Sequence, residues 1–273
     1  MNTHTQKINM KKIKISHEVP FCLLTKSREF NDYDYCLPHL MDENEEYRVF
    51  FLNSKNVARY IIMDNSLHEL GFAYHEERLM HWMNEIKPQE FIVPDVWMDM
   101  SMSIRNAKAW SKVEVPEETV KVAVVQAKSV GEAVLCYQTY KDLGYQKIAF
   151  SYGADFYAEV IPHPNVNIAK ALGRVSLISY MFQEKIISSK DRVHLLGTCF
   201  PGEFGFYKDF SFIESIDTSN PVMAGVEGKV YDCFGLTEKP KANMNSVFDR
   251  DFEMIDLDLV YHNIQKFKQI NNL

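Results

Sequence analysis

The chain has 273 residues, 46% apolar and 25% charged, with 11 glycines and 10 prolines, a composition that excludes a disordered or linker-rich polypeptide and suits one large domain with a sizeable core. No apolar stretch approaches the roughly 18 residues of a membrane helix, and the polar, basic start MNTHTQKINMKKIKI lacks the apolar segment of a signal peptide, so a cytoplasmic protein with no membrane partner is expected. A formal charge of -7 argues against coating nucleic acid through bulk charge but leaves room for a local basic strip; Lys11, Lys12 and Lys14 form the densest cluster, which a solvated terminal segment would also produce.

Short β-rich runs recur along the chain, each followed by a segment with helical spacing, the pattern of parallel βαβ units. The runs cover residues 19–25, 59–64, 90–96, 121–127, 147–153, 192–198 and 211–219. Most are nearly continuous in apolar residues, as strands covered on both faces must be. Between them, residues 74–87 place Leu79, Trp82, Met83 and Ile86 on one face of an amphipathic helix. Residues 129–144 carry Val134, Leu135 and Leu143 on a helical period, open on Ser129 with Glu132 three residues later, and stop at Gly144. Further helices are predicted over 165–187 and 252–270. An eighth strand is expected within 229–235 (KVYDCFG) or in the poorly patterned N-terminal region.

Eight such units predict an α/β fold, a single-domain (β/α)₈ TIM-type barrel over residues 1–273, with the pattern weakest over 1–18 and 222–250. An open doubly wound sheet is the alternative, but neither G-x-G-x-x-G nor G-x-x-x-x-G-K-[ST] is present.

A barrel builds its site at the C-terminal ends of its strands, and the runs close on polar residues. They end at Asp64 with Asn65 and Ser66, at Pro94 and Asp95, at Gln126, at Ser151, Tyr152 and Gly153, at Gly197, and at Asp217 with Thr218 and Ser219. A single aspartate after a strand also serves as a helix cap or turn residue. Three at equivalent ends of apolar strands suit glycosyl chemistry, with one carboxylate as nucleophile and another moving a proton. No G-x-S-x-G, H-E-x-x-H or kinase signature appears. Cys22, Cys36, Cys136, Cys199 and Cys233 are scattered without zinc spacing, so neither a metal nor a cofactor is expected, although the lone His39 and His194 are potential ligands. Phe204, Phe206, Tyr207, Phe210 and Phe212 suit core or lid packing, or the stacking of nucleobases.

Taken in order, D-N-S-x-H-E (Asp64, Asn65, Ser66, His68, Glu69), V-P-D-V (Val93 to Val96), V-V-Q (Val124 to Gln126), S-Y-G (Ser151 to Gly153), L-L-G (Leu195 to Gly197) and S-I-D-T-S (Ser215 to Ser219) resemble tRNA-guanine transglycosylases. They resemble more closely the DNA 7-deazaguanine transglycosylases of bacteriophages and genomic islands, over residues 60–221. The resemblance implies a (β/α)₈ barrel that exchanges guanine in a polynucleotide for a 7-deazaguanine such as preQ0, through a covalent enzyme-nucleoside intermediate and without a cofactor.

Residue by residue, it implies that Asp217 is the nucleophile at C1′ and that Asp64 is the general acid/base. It implies that Asp95 and Gln126 read the purine edge, that Gly153 turns its backbone to the base, and that Gly197 and His68 also lie beside the base. His68 stands where the tRNA enzymes carry a stacking aromatic, and Leu67 and Glu69 replace small and amide residues. Their C-terminal Cys/Cys/Cys/His zinc site is missing from this sequence, which favours DNA over tRNA as partner and, for a phage protein, the host cytoplasm as location. Lys11, Lys12, Lys14 and Lys208 are the expected phosphate-binding strip. A hydrolase or transferase of free nucleosides, and a catalytically silent nucleic-acid-binding barrel, are the alternatives.

Overall fold

The computed structural model of the chain describes residues 12–236 and 247–273. Eight short strands, β1 (Lys14–Ser16), β2 (Asp34–Cys36), β3 (Ile61–Met63), β4 (Glu90–Ile92), β5 (Val120–Val125), β6 (Lys147–Ser151), β7 (Val193–Leu196) and β8 (Ile213–Asp217), alternate with helices. Every pairing is parallel, in the order β1-β8-β7-β6-β5-β4-β3-β2. The first strand therefore lies on the last, which is the topology of a (β/α)₈ barrel.

The seam between β1 and β2 is stitched by the two residues that precede β2's approach. Asp32 donates its backbone N–H to the Ile15 carbonyl (2.8 Å) and accepts from the Ile15 N–H through Oδ2 (2.9 Å). Asn31 does the same for His17 with its amide, accepting from its N–H (2.8 Å) and donating to its carbonyl (2.9 Å). The free edge of β1 is thus satisfied at the point where the sheet would otherwise stay open.

Six of the predicted runs coincide with strands β3 to β8, β5 beginning one residue before its run. The run at 19–25 does not: Pro20 leads into a 3-10 turn, Phe21–Leu23, and a short helix, Leu24–Ser27, which bury Leu23 and Leu24. A short apolar run carries no period that separates a strand from a buried helical turn. Both missing strands, β1 and β2, lie in the N-terminal region; residues 229–235 hold only an isolated antiparallel bridge between Asp232 and Gly235.

The helix predicted over 74–87 spans Glu76–Ile86 and buries Leu79, Trp82, Met83 and Ile86. The helix over 129–144 spans Val130–Asp142, its first turn capped by the Ser129 hydroxyl on the Glu132 N–H (3.2 Å). Its inner face differs from the predicted one: Ala133, Cys136, Tyr137 and Tyr140 are buried and Leu135 is 52% exposed. The two remaining predicted helices span Val166–Gln183 and Leu257–Asn271. Phe204, Tyr207 and Phe212 are buried in the core, with Phe204 edge-on to Phe267 at 5.8 Å, so this part of the aromatic group packs the fold. Among the described residues no helix is long and apolar enough to cross a membrane.

Candidate active site

The turn after β3 is built by its own side chains. The Asp64 carboxylate accepts the Ser66 N–H (3.1 Å) and the Asn65 side-chain oxygen accepts the Leu67 N–H (2.9 Å), a double Asx turn. Together they hold Ser66 in the left-handed region, at φ 63, a conformation that costs a non-glycine residue free energy on the order of 1 kcal/mol. His39 Nδ1 meets the Ser66 hydroxyl at 2.8 Å from below. The result is Asp64, 9% exposed, fixed at the C-terminal mouth of the barrel.

Asn65 also reaches sideways. Its amide nitrogen donates to the Val93 carbonyl (3.0 Å) and to Asp95 Oδ1 (2.7 Å), while Gln126 Nε2 donates to Asp95 Oδ2 (2.7 Å). The Met98 N–H donates to Gln126 Oε1 (3.0 Å), which sets the orientation of that amide. The ends of β3, β4 and β5 are therefore joined through one buried carboxylate and two amides.

Burial pushes the Asp64 carboxyl up to about 7; the charges of Asp95 and Asp217 add to it, and the N–H groups of Asn65 and Ser66 oppose it. Burial likewise raises Asp95 to about 6, against the hydrogen bonds from Gln126 and Asn65. Glu69, beside them, rises to about 8 by burial and then by the field of Asp64. Asp64, just past the end of β3, and Asp217, the last residue of β8, lie at the same end of one all-parallel sheet, which places them around one mouth.

Across the mouth Asp217 closes β8, in register with Ser16 of β1. Its Oδ1 lies 3.0 Å from His194 Nε2, and the other ring nitrogen of His194 lies 2.8 Å from the Ser215 hydroxyl. Below them the Lys147 ammonium pairs with Glu90 at 2.7 Å. The ring of Tyr35 is stacked near His194 with centroids 6.3 Å apart, and burial first, then the charges of Asp64 and Asp217, oppose its ionisation.

Both glycines implicated by sequence stand at the mouth with positive φ, 84 at Gly153 and 55 at Gly197. Neither carbonyl is open: Lys170 donates to that of Gly153 (2.7 Å) and Arg174 to that of Gly197 (2.7 Å). A Cβ at Gly197 would sit 2.3 Å from the Tyr152 ring, and one at Gly153 would sit 3.7 Å from the Trp97 indole. The glycines are the floor under two aromatic side chains. His68 joins this rim, its Nε2 3.1 Å from the Tyr152 hydroxyl.

Asp64, Asp95, Gln126, Gly153, Gly197, His68 and Asp217 are thus gathered at one end of the barrel. The lysine strip is not. Lys12 and Lys14 lie at the start of β1, Lys14 over the Tyr60 ring at 4.7 Å, and Lys208 follows the 3-10 segment that leads back to the start of β8; these positions belong to the opposite face. Lys11 lies outside the described residues.

Sequence reasoning missed His194 as a partner of Asp217, Asn65 as the tie to Asp95, and the Trp97/Tyr152 rim. A histidine inside the otherwise apolar run at 192–198 was the available signal for the first. Among the described residues no three His, Cys, Asp or Glu side chains form a group that could hold a metal ion. No family model matches the chain, and no curated protein matches it at a significant level.

Proposed function

We propose that this mouth exchanges a purine base at a glycosidic carbon, replacing guanine in a polynucleotide by a 7-deazaguanine. The observation that carries the reading is the pairing of two buried carboxylates with different surroundings: Asp64, raised to about 7, and Asp217, hydrogen-bonded to His194 across the mouth. In this reading an Asp217 oxygen attacks C1′, the C1′–N9 bond breaks, and Asp64 gives its proton to the leaving guanine. The incoming base returns a proton to Asp64 as its N9 attacks C1′, and the bond from C1′ to Asp217 breaks.

Asp95 and Gln126 would read the base. Each Asp95 oxygen already accepts one amide hydrogen and keeps a second acceptor site, suited to the N1–H and 2-amino group of guanine. A base lacking those donors leaves buried acceptors unmatched, at about 1–3 kcal/mol each. Trp97, Tyr152 and His68 supply flat surfaces for the ring.

The distance of Lys12, Lys14 and Lys208 from the mouth favours a second reading, in which the same carboxylates act on free nucleosides. Incubation with radiolabelled guanine or preQ0 and, separately, guanine-containing duplex DNA, tRNA or deoxyguanosine tests both. Incorporation into a polynucleotide, declining with salt as phosphate contacts are lost, supports the first; salt-independent exchange into deoxyguanosine supports the second. No exchange with any of them overturns both.

A further inference from the structure

We infer that His194 is a positioning residue for Asp217, held as its Nε2–H tautomer by a one-way chain of hydrogen bonds that starts at the buried Lys147–Glu90 ion pair. The inference rests on the reading of Asp217 as nucleophile for its consequence, and on hydrogen-bond counting for its geometry.

Lys147 opens β6 and is 2% exposed. Its Nζ lies 2.8 Å from Glu90 Oε1, 2.7 Å from Glu90 Oε2 and 2.8 Å from the Ser215 hydroxyl. An ammonium group has three hydrogens and accepts none, so these partners use all of them. Ser215 therefore accepts from Lys147 and keeps one hydrogen for its other partner, His194 Nδ1, at 2.8 Å; because a carboxylate at Nε2 only accepts, the arrangement that satisfies both ring nitrogens has Ser215 donating to Nδ1. With Nδ1 accepting, the hydrogen of a neutral imidazole resides on Nε2, 3.0 Å from Asp217 Oδ1.

The strands supply this line directly. His194 and Ser215 are cross-strand partners in the β7–β8 ladder, and Asp217 follows Ser215 by two residues on the same face. Glu90 is held in turn by the Tyr60 hydroxyl (2.6 Å) and Arg192 Nη2 (3.1 Å), so the source of the chain cannot rotate away without breaking several bonds. Tyr35 lies nearly parallel to the imidazole, at 18° with the ring centroids 6.3 Å apart.

The consequence is selective use of one carboxylate oxygen. Oδ1 is occupied by an N–H, while Oδ2 takes no hydrogen bond among the described residues and is the oxygen left for C1′.

The direct test is the tautomer. Long-range ¹H–¹⁵N correlation of uniformly ¹⁵N-histidine-labelled protein, with His194→Gln to assign one of the nine histidines, is expected to show the Nε2–H form for His194, and Ser215→Ala is expected to loosen that preference. An Nδ1–H form in the wild type overturns the chain. For function, His194→Phe is expected to lower kcat for base exchange about 10- to 100-fold, the loss of one hydrogen bond to a charged group, with KM changed less than about twofold. His194→Gln, whose amide N–H can reach the same oxygen, is expected to recover most of that loss. Equal kcat in wild type and His194→Phe overturns the positioning role. Should the wild type exchange no base at all, the transglycosylase reading fails, and the tautomer measurement still decides the chain; neither that measurement nor His194→Gln depends on the phenylalanine variant folding.

Discussion

The two sides of the barrel mouth support their aspartates by different means. On the β3–β5 side, the hydrogen bonds to Asp64 and Asp95 come from neutral donors, the amides of Asn65 and Gln126 and backbone N–H groups, and burial dominates, so both are pushed toward the protonated form. On the β7–β8 side, Asp217 leans on an imidazole backed by a buried ion pair. The first environment suits a group that must gain and lose a proton near neutrality; the second suits one that must keep the same oxygen in the same place. One fold positions both because each element of the support comes from a strand end or a strand interior, and none depends on a long mobile loop.

Removing the acidic oxygen on each side tests that division of labour. Asp217→Asn keeps size and most hydrogen bonding but loses the nucleophilic charge, so exchange is expected to fall by roughly 10⁴-fold or more, and no covalent enzyme-DNA band should form on denaturing gels. An undiminished adduct in this variant would remove Asp217 from the role. Asp64→Asn keeps the nucleophile and impairs only proton transfer; exchange is expected to slow about 10²- to 10⁴-fold while binding of guanine-containing DNA, followed by gel shift, persists. Equal effects on binding and turnover would argue that the two sides are not functionally distinct.

The difference in support also predicts a difference in stability. Lys147→Met strips the ammonium from a buried Glu90 and is expected to cost about 3–5 kcal/mol in urea unfolding, nearer the lower figure because Arg192 and Tyr60 still reach the carboxylate. Gln126→Leu removes one neutral donor from Asp95, and a loss of about 1–3 kcal/mol is expected. Similar losses at the two positions would mean that the ion pair adds little beyond ordinary hydrogen bonding.

How much of this was readable beforehand follows from where the residues lie. Strands β3 to β8 are covered on both faces, which leaves an apolar run in the sequence, and the polar residue that ends each run is the one at the mouth; Asp64, Asp95, Gln126 and Asp217 were legible for that reason. Strands β1 and β2 have three residues each, too few to show a period, and the apolar run at 19–25 drew the first strand to a segment that is helical. Lys147, His194 and Ser215 lie inside runs rather than at their ends. Their types stand out against apolar neighbours, but only the register of β6, β7 and β8 reveals that they face one another. Trp97 and Tyr152 follow strands in segments without periodicity, and the two glycines beneath them signalled a backbone need while leaving the aromatic cover unannounced.

The smallest expected effect separates the two sides through pH. In the unfolded chain an aspartate releases its proton near pH 4, whereas folded Asp64 holds it to about 7 and Asp95 to about 6. Between roughly pH 4 and 7 the folded state therefore binds more protons than the unfolded one, and unfolding becomes easier as pH rises; above about pH 7 the loss is complete. Buried His17 and His39, lowered by desolvation to about 3 and about 4, act in the opposite sense, since charging them opposes folding as pH falls below about 6.5. A comparison of variants cancels the histidines. Asp64→Asn has no proton to lose, so from pH 5 to 8 its stability should decline less than that of the wild type, and at pH 8 it should be the more stable of the two by on the order of 1–3 kcal/mol. Urea titrations at four pH values would measure this, and parallel curves for the two proteins would mean that Asp64 is not the strained acid of the mouth. The same experiment on Gln126→Leu should move the other way: without its donor Asp95 is harder to ionise, so the decline with pH should steepen.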